Sequence, residues 1–304
     1  MKRYKLYGLI IESDIEFMQL VQAENADIWE NDVVTVKNGN IANEVNNKLQ
    51  GKTVNYNVEF DVSCFRNRFG YYLVRNGNEI LYEPKEEPLN DMIKSFILGY
   101  CISLVLLQRK ILAIHCSAVC LPDGENDDGA ILISGTTGAG KSSVTRKLLE
   151  SGYRFMADDV AAIRYEEKAL VYPAFPYQKL CRNEVVKRDL KADELIYVGE
   201  DKDKFFVPVK GMFEGNPKAL KCMIFLSVSD DSAVNIKKLK GIEQLFAFKR
   251  NLFLFMFGGD WQNTPSFMEL CLKIVGECPI YVISRPREKD TLEDIARIIK
   301  EITD

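Results

Sequence analysis

Histidine is nearly absent from this chain of 304 residues, which contains a single one. The eight cysteines are scattered, and none shows the C-x₂-C spacing of a zinc site. The chain is also too long for a small domain held together by disulfides. We therefore expect no zinc cluster, and isolated, buried thiols of the kind found in a reducing cytoplasm.

Positive charge is not in excess either. Forty Lys and Arg residues stand against 44 Asp and Glu residues, which gives a net charge of −4. A protein that holds the backbone of DNA or RNA by bulk electrostatics carries the opposite balance. Nucleic acid is therefore not an expected partner.

Long hydrophobic runs are missing as well. The longest apolar stretch covers residues 95–107, whereas a membrane span needs roughly 20 residues. The N-terminal apolar run ends at Glu12, before it reaches the length of a signal-peptide core. Apolar residues make up 47% of the chain, enough for a sizeable core, and the length favours about two domains. We expect a soluble, cytoplasmic protein with no membrane partner.

The first 88 residues show β patterns. Asn-Gly pairs, which are typical of type I′ hairpin turns, occur within residues 33–41 and again within residues 71–84. Between them, residues 53–62 alternate apolar and polar side chains, as expected for a half-buried strand. We predict a small, mainly antiparallel β domain over residues 1–88.

The remaining residues, 89–304, show mixed helix and strand patterns that predict an α/β domain. Apolar residues at helical spacing between Ile93 and Leu104 predict a helix that Asn90 can cap. Further along, the patterns predict a strand at residues 111–120 and a second one, joined to it by a turn, at residues 130–134. They also predict buried strands at residues 222–228 and 280–283, and helix starts at residues 264 and 290.

The most informative segment is G-T-T-G-A-G-K-S at residues 135–142, the Walker A pattern of a phosphate-binding loop. Its glycines let the backbone curl so that successive N–H groups point at phosphates, and the helix that follows adds its positive end. Lys141 supplies a charge for the β- and γ-phosphates, and the Ser142 hydroxyl can bind Mg²⁺. An apolar strand before the loop and a helix after it provide the context that this loop requires. The predicted nucleotide-binding residues are Gly135, Thr136, Thr137, Gly138, Ala139, Gly140, Lys141, Ser142 and Ser143.

Two adjacent acids follow the helix after the loop. That helix leads to a second predicted strand, residues 153–157, which ends in Asp158 and Asp159. In a right-handed β-α-β unit the parallel neighbours end at the same edge of the sheet, so we expect both carboxylates next to the phosphate-binding loop. One acid can bind the metal, and the other can accept a proton from an acceptor hydroxyl. The alternative is that one acid binds the metal and the other is a helix cap or a surface charge.

The single histidine, His115, lies in the predicted hairpin that precedes the loop. If this hairpin is symmetric about residue 125, His115 falls opposite Gly135 and beside the place of a γ-phosphate. The alternative for an isolated histidine in an apolar strand is a core residue. Weaker candidates for contact with phosphate or substrate are Lys179, Arg182, Lys202 and Lys204, for which surface charge is the simpler interpretation. The flanking cysteines are expected in the core, at positions Cys116 and Cys120.

Taken together, these motifs resemble the HPr kinase/phosphorylase superfamily, a branch of P-loop phosphotransferases related in core architecture to phosphoenolpyruvate carboxykinase. The resemblance is close over residues 111–160, where it is carried by IHCSAV around His115, by residues 135–142 and by GYRFMADD at 152–159. Coarser similarity in YGLIIESDIEF, FPYQKL and VPVKGMF, and at Lys204, resembles a subgroup whose members phosphorylate a serine of lasso-peptide precursors.

The resemblance implies an HPr-kinase-like P-loop core with a mixed sheet, and ATP and Mg²⁺ as cofactors. It also implies that Asp158 is the base that deprotonates the acceptor, that Asp159 and Ser142 bind the metal, and that His115 contacts the γ-phosphate while Lys141 assists transfer. The acceptor would be a Ser or Thr hydroxyl of a peptide or small protein, and a homo-oligomer is compatible with it. The N-terminal part differs from HPr kinase/phosphorylase, and the arginine- and glycine-rich segment linked to its reverse reaction is missing. Neither that reaction nor HPr as the acceptor is therefore implied.

Two other functions stay open on the residues alone. One is a nucleotide-binding regulatory or scaffold protein that passes no phosphate on, and the other is a plain ATPase. The second aspartate favours transfer over both, because nucleotide binding by itself does not need it.

Overall fold

The computed structural model of this chain describes residues 1–24, 32–86, 91–121, 129–136, 138–198, 203–209 and 211–303. The chain divides into two compact units, each built from three segments. Unit 1 comprises Met1–Ala113, Tyr177–Pro208 and Leu254–Thr264, and unit 2 comprises Ile114–Pro176, Val209–Phe253 and Pro265–Asp304. The predicted division between residues 88 and 89 falls within residues 87–90, which lie outside the described residues, and the first segment of unit 1 continues past them to Ala113.

The helices and strands of the described residues are numbered along the chain. The helices are α1 (Ala42–Lys48), α2 (Asp91–Phe96), α3 (Ile102–Gln108), α4 (Lys141–Glu150), α5 (Arg182–Lys187), α6 (Gly241–Arg250), α7 (Pro265–Glu277) and α8 (Leu292–Thr303). The strands are β1 (Lys2–Leu6), β2 (Leu9–Ser13), β3 (Val21–Gln22), β4 (Val33–Asn38), β5 (Tyr56–Asn57), β6 (Val62–Arg66), β7 (Gly70–Arg75), β8 (Glu79–Pro84), β9 (Leu112–Ile114), β10 (Ser117–Cys120), β11 (Ala130–Gly135), β12 (Arg154–Ala157), β13 (Ala161–Tyr165), β14 (Ala169–Tyr172), β15 (Tyr177–Cys181), β16 (Ile196–Tyr197), β17 (Lys204–Pro208), β18 (Lys218–Ser229), β19 (Asn235–Lys238) and β20 (Ile280–Pro286). A π-helical turn, Ile97–Cys101, joins α2 to α3.

Unit 1 is built on a sheet whose described strands run in the order β3-β1-β2-β4-β8-β7-β6-β5. Neighbouring strands are antiparallel, except that β2 with β4 and β4 with β8 are parallel pairs. The mainly antiparallel sheet predicted for the N-terminal part is therefore present. A smaller sheet of unit 1 has the order β15-β17-β16. With the helices, these mixed sheets make the chain a mixed α/β protein, as predicted.

The second predicted Asn-Gly hairpin is confirmed. β7 and β8 pair antiparallel up to Arg75 and Glu79, and the chain turns between them. The φ angles of Asn76 and Gly77 in this turn are 50° and 66°, both in the left-handed region that a type I′ turn requires. Glycine and asparagine enter this region at little cost, which is why this short sequence signal is reliable.

The first predicted Asn-Gly hairpin, within residues 33–41, is wrong. After β4 the chain continues into α1 instead of turning back. A carboxylate oxygen of Glu83 in β8 accepts hydrogen bonds from the N–H groups of Ile41 and Ala42, at 2.5 and 2.6 Å. These contacts satisfy N–H groups at the helix start that have no partner within the helix. A side chain some forty positions away in sequence thus favours the helix, and the local pattern carries no sign of it.

The strand predicted over residues 53–62 is also largely wrong. Within this segment Tyr56 and Asn57 pair, as β5, with Phe65 and Cys64 of β6, and Val62 is the first residue of β6 itself. β5 lies at the end of the sheet order, where a strand has one neighbour at most. The alternating pattern is present in the sequence, but few backbone partners are within its reach.

The predicted apolar helix is confirmed as one continuous segment from Asp91 to Gln108, formed by α2, the π-helical turn and α3. Its predicted cap, Asn90, lies outside the described residues. The helix is long and apolar enough to cross a membrane, so length alone does not exclude a span, and 56% of it is buried inside the structure. Its last residue binds the turn after β7, because Gln108 donates to the carbonyl of Val74 at 3.2 Å and accepts from the N–H of Gly77 at 2.7 Å.

Unit 2 holds a sheet whose described strands run in the order β12-β10-β11-β18-β14-β13, with β20 beside β18 and β19 beside β20. β11, β18 and β20 are parallel neighbours. The predicted unit of strand, helix and strand is present as β11, α4 and β12, but the prediction that β11 and β12 are neighbours is wrong. β10 lies between them and is antiparallel to both. Because both strands run opposite to β10, their C-terminal ends still lie at the same edge of the sheet.

The strand predicted over residues 111–120 is interrupted in its middle. β9 ends at Ile114 and β10 begins at Ser117, and His115 and Cys116 form a bend between them. The N–H of His115 donates to the carbonyl of Asn251 at 2.7 Å, so a residue at the end of α6 takes the place of a strand partner. Because of the bend, the side chain of His115 does not follow the alternation of side chains along a strand.

One face of the unit 2 sheet is covered by α4 and α8. Ile133 of β11, Leu226 of β18 and Ile283 of β20 are buried in one cluster with Val144 of α4 and Ile295 of α8. Full burial of such side chains contributes roughly 1.5–3 kcal/mol each. This packing fixes α4 against three parallel strands, and so fixes its first turn at the end of β11.

The predictions for the C-terminal part are confirmed. The buried strand predicted at residues 222–228 lies within β18, and the one predicted at residues 280–283 is the first part of β20. α7 begins at Pro265 as predicted. The start of α8 is held by Asp290, whose carboxylate accepts a hydrogen bond from the N–H of Leu292 at 3.1 Å.

The burial of the eight cysteines predicts the result of a thiol-labelling experiment. All eight lie in the described residues with free thiols, and Cys181 is the one that is not buried. Burial raises the pKa of the Cys64 thiol to about 11, and those of Cys222 and Cys271 to about 12. Because only the thiolate reacts, we expect a thiol reagent at about pH 8 to label Cys181 first in the native protein and all eight sites after unfolding. Mass spectrometry counts the labels, and rapid native labelling of the other seven would contradict the burial described.

Candidate functional site

The predicted phosphate-binding loop joins β11 to α4 in the required order of strand, loop and helix. Gly135, Gly138 and Gly140 have φ angles of 148°, 83° and 102°, values that glycine adopts far more readily than other residues. The loop closes on itself where the N–H of Ala139 donates to the carbonyl of Thr136 at 3.0 Å. The described part of the loop thus has the curled backbone that the Walker A pattern predicts.

α4 begins directly after the loop and carries the predicted polar residues in its first turn. Lys141, Ser142 and Ser143 are its first three residues, and the N–H of Val144 bonds back to the last residue of the loop at 2.9 Å. The N–H groups of a first helical turn have no acceptor within the helix and form an anion site when a loop of this kind precedes them. The ammonium of Lys141 lies back across the loop, where it donates to the carbonyl of Gly135 at 2.7 Å. The ammonium of Lys141 and the N–H groups of the first turn of α4 therefore lie close together beside the loop.

A pair of glycine variants tests the loop geometry. A Cβ at Gly135 would lie far inside van der Waals contact with the carbonyl oxygen of Leu226 in β18, whereas a Cβ at Gly138 would meet no atom within 4 Å. At Gly138 only the positive φ opposes a side chain, at about 1–2 kcal/mol. We expect Gly135→Ala to lower the free energy of unfolding by at least about 3 kcal/mol, measured by denaturant titration. Equal losses in Gly135→Ala and Gly138→Ala would contradict the close approach of β11 to β18.

The register of the hairpin formed by β10 and β11 is the predicted one. Ser117 pairs with Ile133, and all pairs of the ladder are symmetric about residue 125. Regular pairing stops at Ser117, but the carbonyl of His115 accepts a hydrogen bond from the hydroxyl of Ser134 at 2.7 Å. Ser134 is the last residue before the first glycine of the loop. His115 therefore lies beside the start of the phosphate-binding loop, as the symmetry argument predicts.

Asn251 fixes the backbone of His115 from the opposite side. Besides its carbonyl, which accepts from the N–H of His115, its side-chain oxygen lies 2.5 Å from the hydroxyl of Ser134. Its amide nitrogen donates to the carbonyl of Ala247 in α6 at 2.8 Å, which assigns the orientation of the amide group. The sequence analysis did not identify Asn251, and no local signal marks it, because it lies 117 positions after Ser134.

The imidazole of His115 lies against the second of the two acids. Its Nδ1 is 3.0 Å from the carbonyl oxygen of Asp159 and 3.7 Å from a carboxylate oxygen of the same residue. A carbonyl only accepts, so Nδ1 carries the proton of this hydrogen bond and Nε2 is directed away from it. The side chain is 45% exposed, which excludes the alternative of a buried core histidine.

The two acids do not follow strand alternation, because the backbone turns at the second of them. β12 ends at Ala157, and Asp159 has a φ of 70°, in the left-handed region that Asp enters more easily than most residues. The carboxylate of Asp158 accepts a hydrogen bond from the hydroxyl of Ser117 at 2.5 Å. Ser117 belongs to β10, the strand between β12 and β11, so this contact places Asp158 next to the hairpin that carries His115. Asp158 thus binds a side-chain hydroxyl, and is not the helix cap of the alternative interpretation.

The buried thiol of Cys116 responds to the charges on both sides of it. Burial raises the pKa of Cys116, the negative charge of Asp158 raises it further, and the positive charge of Lys141 lowers it. The residues on either side of this thiol bind the site directly, because His115 contacts Ser134 and Asp159 while Ser117 donates to Asp158. Cys116 and Cys120 are themselves buried, as predicted. Loop, histidine and acids therefore surround one small region of unit 2.

The donors for a metal ion are few. Within the described ranges no group of three or more His, Cys, Asp or Glu side chains is placed to hold a metal. Mg²⁺ at a nucleotide site usually takes one or two protein oxygens and completes its shell with phosphate oxygens and waters. The hydroxyl of Ser142 and the carboxylate of Asp159 are hard oxygen donors of that kind, so the residues present fit Mg²⁺ bound together with a nucleotide.

Arg285 is a residue at this site that the sequence analysis missed. It lies near the C-terminal end of β20, and its guanidinium donates to the carbonyls of Ala139 and Gly138 at 3.0 and 3.1 Å. The available signal was an arginine directly after a buried apolar strand, since strand ends of a parallel sheet are where ligands bind. A lone arginine in that position is too common to be distinctive.

Of the weaker candidates, three belong to unit 1 and one lies outside the described residues. Lys179, Arg182 and Lys204 belong to unit 1, where Arg182 pairs with Asp203 and its guanidinium stacks on a phenylalanine. That pairing is consistent with a surface role. Lys202, and Thr137 of the phosphate-binding loop, lie outside the described residues.

Unit 2 also contains a cavity that none of the predicted site residues lines. It has a volume of about 650 Å³ and lies between the start of α6 and the end of α7. Its walls are mainly apolar, with Ile242, Leu245, Leu272 and Val275 among them. The phosphate-binding loop is a separate feature, shaped by backbone donors rather than by a deep apolar cavity.

Comparison with known proteins gives similarities among solved structures. No family model matches the chain. No curated protein matches it either. Among solved structures, the chain is similar to the HPr(Ser) kinase/phosphatase from Coxiella burnetii, with 13% sequence identity and a TM-score of 0.31, over 62% of this chain and 92% of that chain. A TM-score this low does not by itself establish a common fold.

Proposed function

We propose that this protein is an ATP- and Mg²⁺-dependent kinase that transfers the γ-phosphate to a Ser or Thr hydroxyl of a peptide or small protein. The observation that carries the proposal is the hydrogen bond from the Ser117 hydroxyl to the carboxylate of Asp158, beside a Walker A loop. A carboxylate that accepts a hydrogen bond from a hydroxyl at the edge of a phosphate site has the chemistry needed of a general base for an acceptor hydroxyl.

The loop and the first turn of α4 bind the triphosphate in this proposal. The N–H groups of the loop donate to phosphate oxygens, and Lys141 moves its ammonium from the Gly135 carbonyl to the β- and γ-phosphates. Ser142 and Asp159 would hold Mg²⁺, which neutralises charge on the phosphates. Phosphoryl transfer needs little covalent help from a protein, so holding these groups in place supplies most of the rate enhancement.

Asp158 acts on the acceptor. An oxygen of the acceptor hydroxyl forms the new bond to the γ-phosphorus, the bond from that phosphorus to the bridging oxygen breaks, and ADP leaves. The proton of the acceptor hydroxyl passes to Asp158, whose contact with Ser117 holds the carboxylate in position. His115 is oriented by its Nδ1 hydrogen bond to Asp159, so in the protonated ring Nε2–H is a donor for the terminal phosphate.

The acceptor and the cellular setting are part of the proposal. The stretches YGLIIESDIEF, FPYQKL and VPVKGMF, together with Lys204, resemble a subgroup that includes kinases of lasso-peptide precursors, so a ribosomally made precursor peptide is the first acceptor to test. We propose a cytoplasmic location because ATP and a reducing environment for eight free thiols are found there. Nucleic acid is not proposed as a partner, since the net charge is −4.

The test follows the γ-phosphate. The purified chain is incubated with Mg²⁺, γ-labelled ATP and candidate peptides encoded by neighbouring genes, each with a Ser→Ala or Thr→Ala control peptide. We expect label on the hydroxyl peptide and none on its alanine control. Label that appears only as free phosphate would make the protein an ATPase. Bound ATP with no release of label would make it a regulatory or scaffold protein, and either result would overturn the proposal.

A further inference from the structure

Arg285 reaches the phosphate-binding loop because of its place in β20. Gly135 of β11, Leu226 of β18 and Ile283 of β20 form one row across three parallel strands. Ile283 is buried on the face that α4 covers. Side chains alternate along a strand, so Arg285, two residues further on, projects to the same face, at the edge of the sheet where the loop begins.

Each of the three nitrogens of the Arg285 guanidinium donates a hydrogen bond. Nε donates to the carbonyl of Ala139 at 3.0 Å, and Nη2 donates to the carbonyl of Gly138 at 3.1 Å. Nη1 donates to the carbonyl of Pro286 at 3.1 Å, next to Arg285 itself. The planar group thus holds two consecutive peptide groups of the loop against the end of β20.

These contacts decide where the N–H groups of the loop point. In a planar trans peptide, the C=O of one residue and the N–H of the next point in opposite directions. With the carbonyls of Gly138 and Ala139 held against Arg285, the N–H groups of the next residues, Ala139 and Gly140, point away from it. The first of these closes the loop by donating to Thr136. The second is directed to the side of the loop opposite Arg285.

We propose that Arg285 is a positioning residue that holds the loop in the conformation in which the N–H of Gly140 donates to a bound phosphate. This inference rests on the proposed function in one respect, since it takes the ligand of the loop to be a nucleoside di- or triphosphate. Three glycines give the loop many alternative conformations, and the two charge-assisted hydrogen bonds from Arg285 reduce them before the nucleotide binds. Lysine cannot replace it, because a single ammonium on a flexible chain does not span two consecutive carbonyls as a planar fork does.

The test measures nucleotide affinity in Arg285→Ala and Arg285→Lys by titration calorimetry with MgATP and MgADP. Arg287→Ala is the matched control, because Arg287 follows two residues later, is 69% exposed and lies 3.9 Å from Asp230. We expect both Arg285 variants to bind MgATP and MgADP about 10- to 50-fold more weakly, since the loop loses two charge-assisted hydrogen bonds. The control should bind within about twofold of the wild type, as surface substitutions usually do.

A second readout separates positioning of the loop from a general structural role. In the transfer assay we expect the loss to appear in KM for ATP, with kcat at saturating ATP within about threefold of the wild type, because ATP binding itself re-forms the loop. Wild-type affinity in Arg285→Ala, full affinity in Arg285→Lys, or a loss confined to kcat would overturn the inference. If the wild type and Arg287→Ala bind MgATP, the Arg285 variants bind it weakly and no sample transfers phosphate, the inference stands and the proposed function fails. A wild-type chain that binds no MgATP overturns both.

Discussion

Replacing Asp158 with asparagine is expected to reduce phosphate transfer by about 10²–10⁴-fold, the usual contribution of a general base, while MgATP still binds. Asparagine keeps the shape of the side chain, and its amide oxygen can still accept the hydrogen bond from Ser117. The amide cannot take up the proton of an acceptor hydroxyl, so only the chemical step is lost. Label transfer to the acceptor peptide measures the rate, and titration calorimetry measures the affinity for MgATP.

The matched control for this variant is Asp230→Asn. Asp230 follows the end of β18 and its side chain is 96% exposed, so the same chemical change there removes a charge without touching the loop or the histidine. We expect this control to transfer phosphate at the wild-type rate. Wild-type transfer by Asp158→Asn itself would show that this carboxylate is not the base.

Lys141→Ala is expected to weaken MgATP binding by about 100-fold, because hydrogen bonds to charged groups contribute about 1.5–3 kcal/mol and each 1.4 kcal/mol is tenfold in affinity. The ammonium lies across the loop at the Gly135 carbonyl, within the same group of donors as the helix start. Alanine is the best helix former, so α4 itself should be retained. Titration calorimetry measures the affinity, and circular dichroism shows whether the helix content is unchanged.

Arg146→Ala provides the comparison for Lys141→Ala. Arg146 is a cation on the same helix, but its side chain is 46% exposed and forms an i,i+4 pair with Glu150. Such exposed pairs contribute little, so nucleotide affinity should not change. If both variants lose affinity equally, the effect is one of net charge near α4, and the specific role of Lys141 is contradicted.

The local parts of the site could be predicted from the sequence. Gly135 and Gly140 are the two glycines that the Walker A spacing specifies, and both have the positive φ that the curled loop needs. The hairpin symmetry about residue 125 placed His115 beside the loop, because a short antiparallel connection fixes the register of its two strands. These features depend on residues that are close along the chain.

The long-range parts could not be predicted. The insertion of β10 between β11 and β12 is a matter of strand order, and the local patterns of the three strands are the same whichever order they take. Asn251 and Arg285 meet the site from elements far along the chain, at 117 positions from Ser134 and 146 positions from Ala139. The bend at His115 depends on one of these contacts, so the sequence predicted an unbroken strand there. Side chains whose partners are set by topology are the ones that sequence patterns miss.

The most direct test of this account is a crystal structure of the chain with Mg²⁺ and a non-hydrolysable ATP analogue. The account predicts the β- and γ-phosphates at hydrogen-bond distance, about 3 Å, from Lys141 and from N–H groups of residues 138–143. It also predicts that His115 and the carboxylate of Asp158 face the terminal phosphate. A nucleotide bound elsewhere, or a terminal phosphate turned away from both side chains, would contradict it.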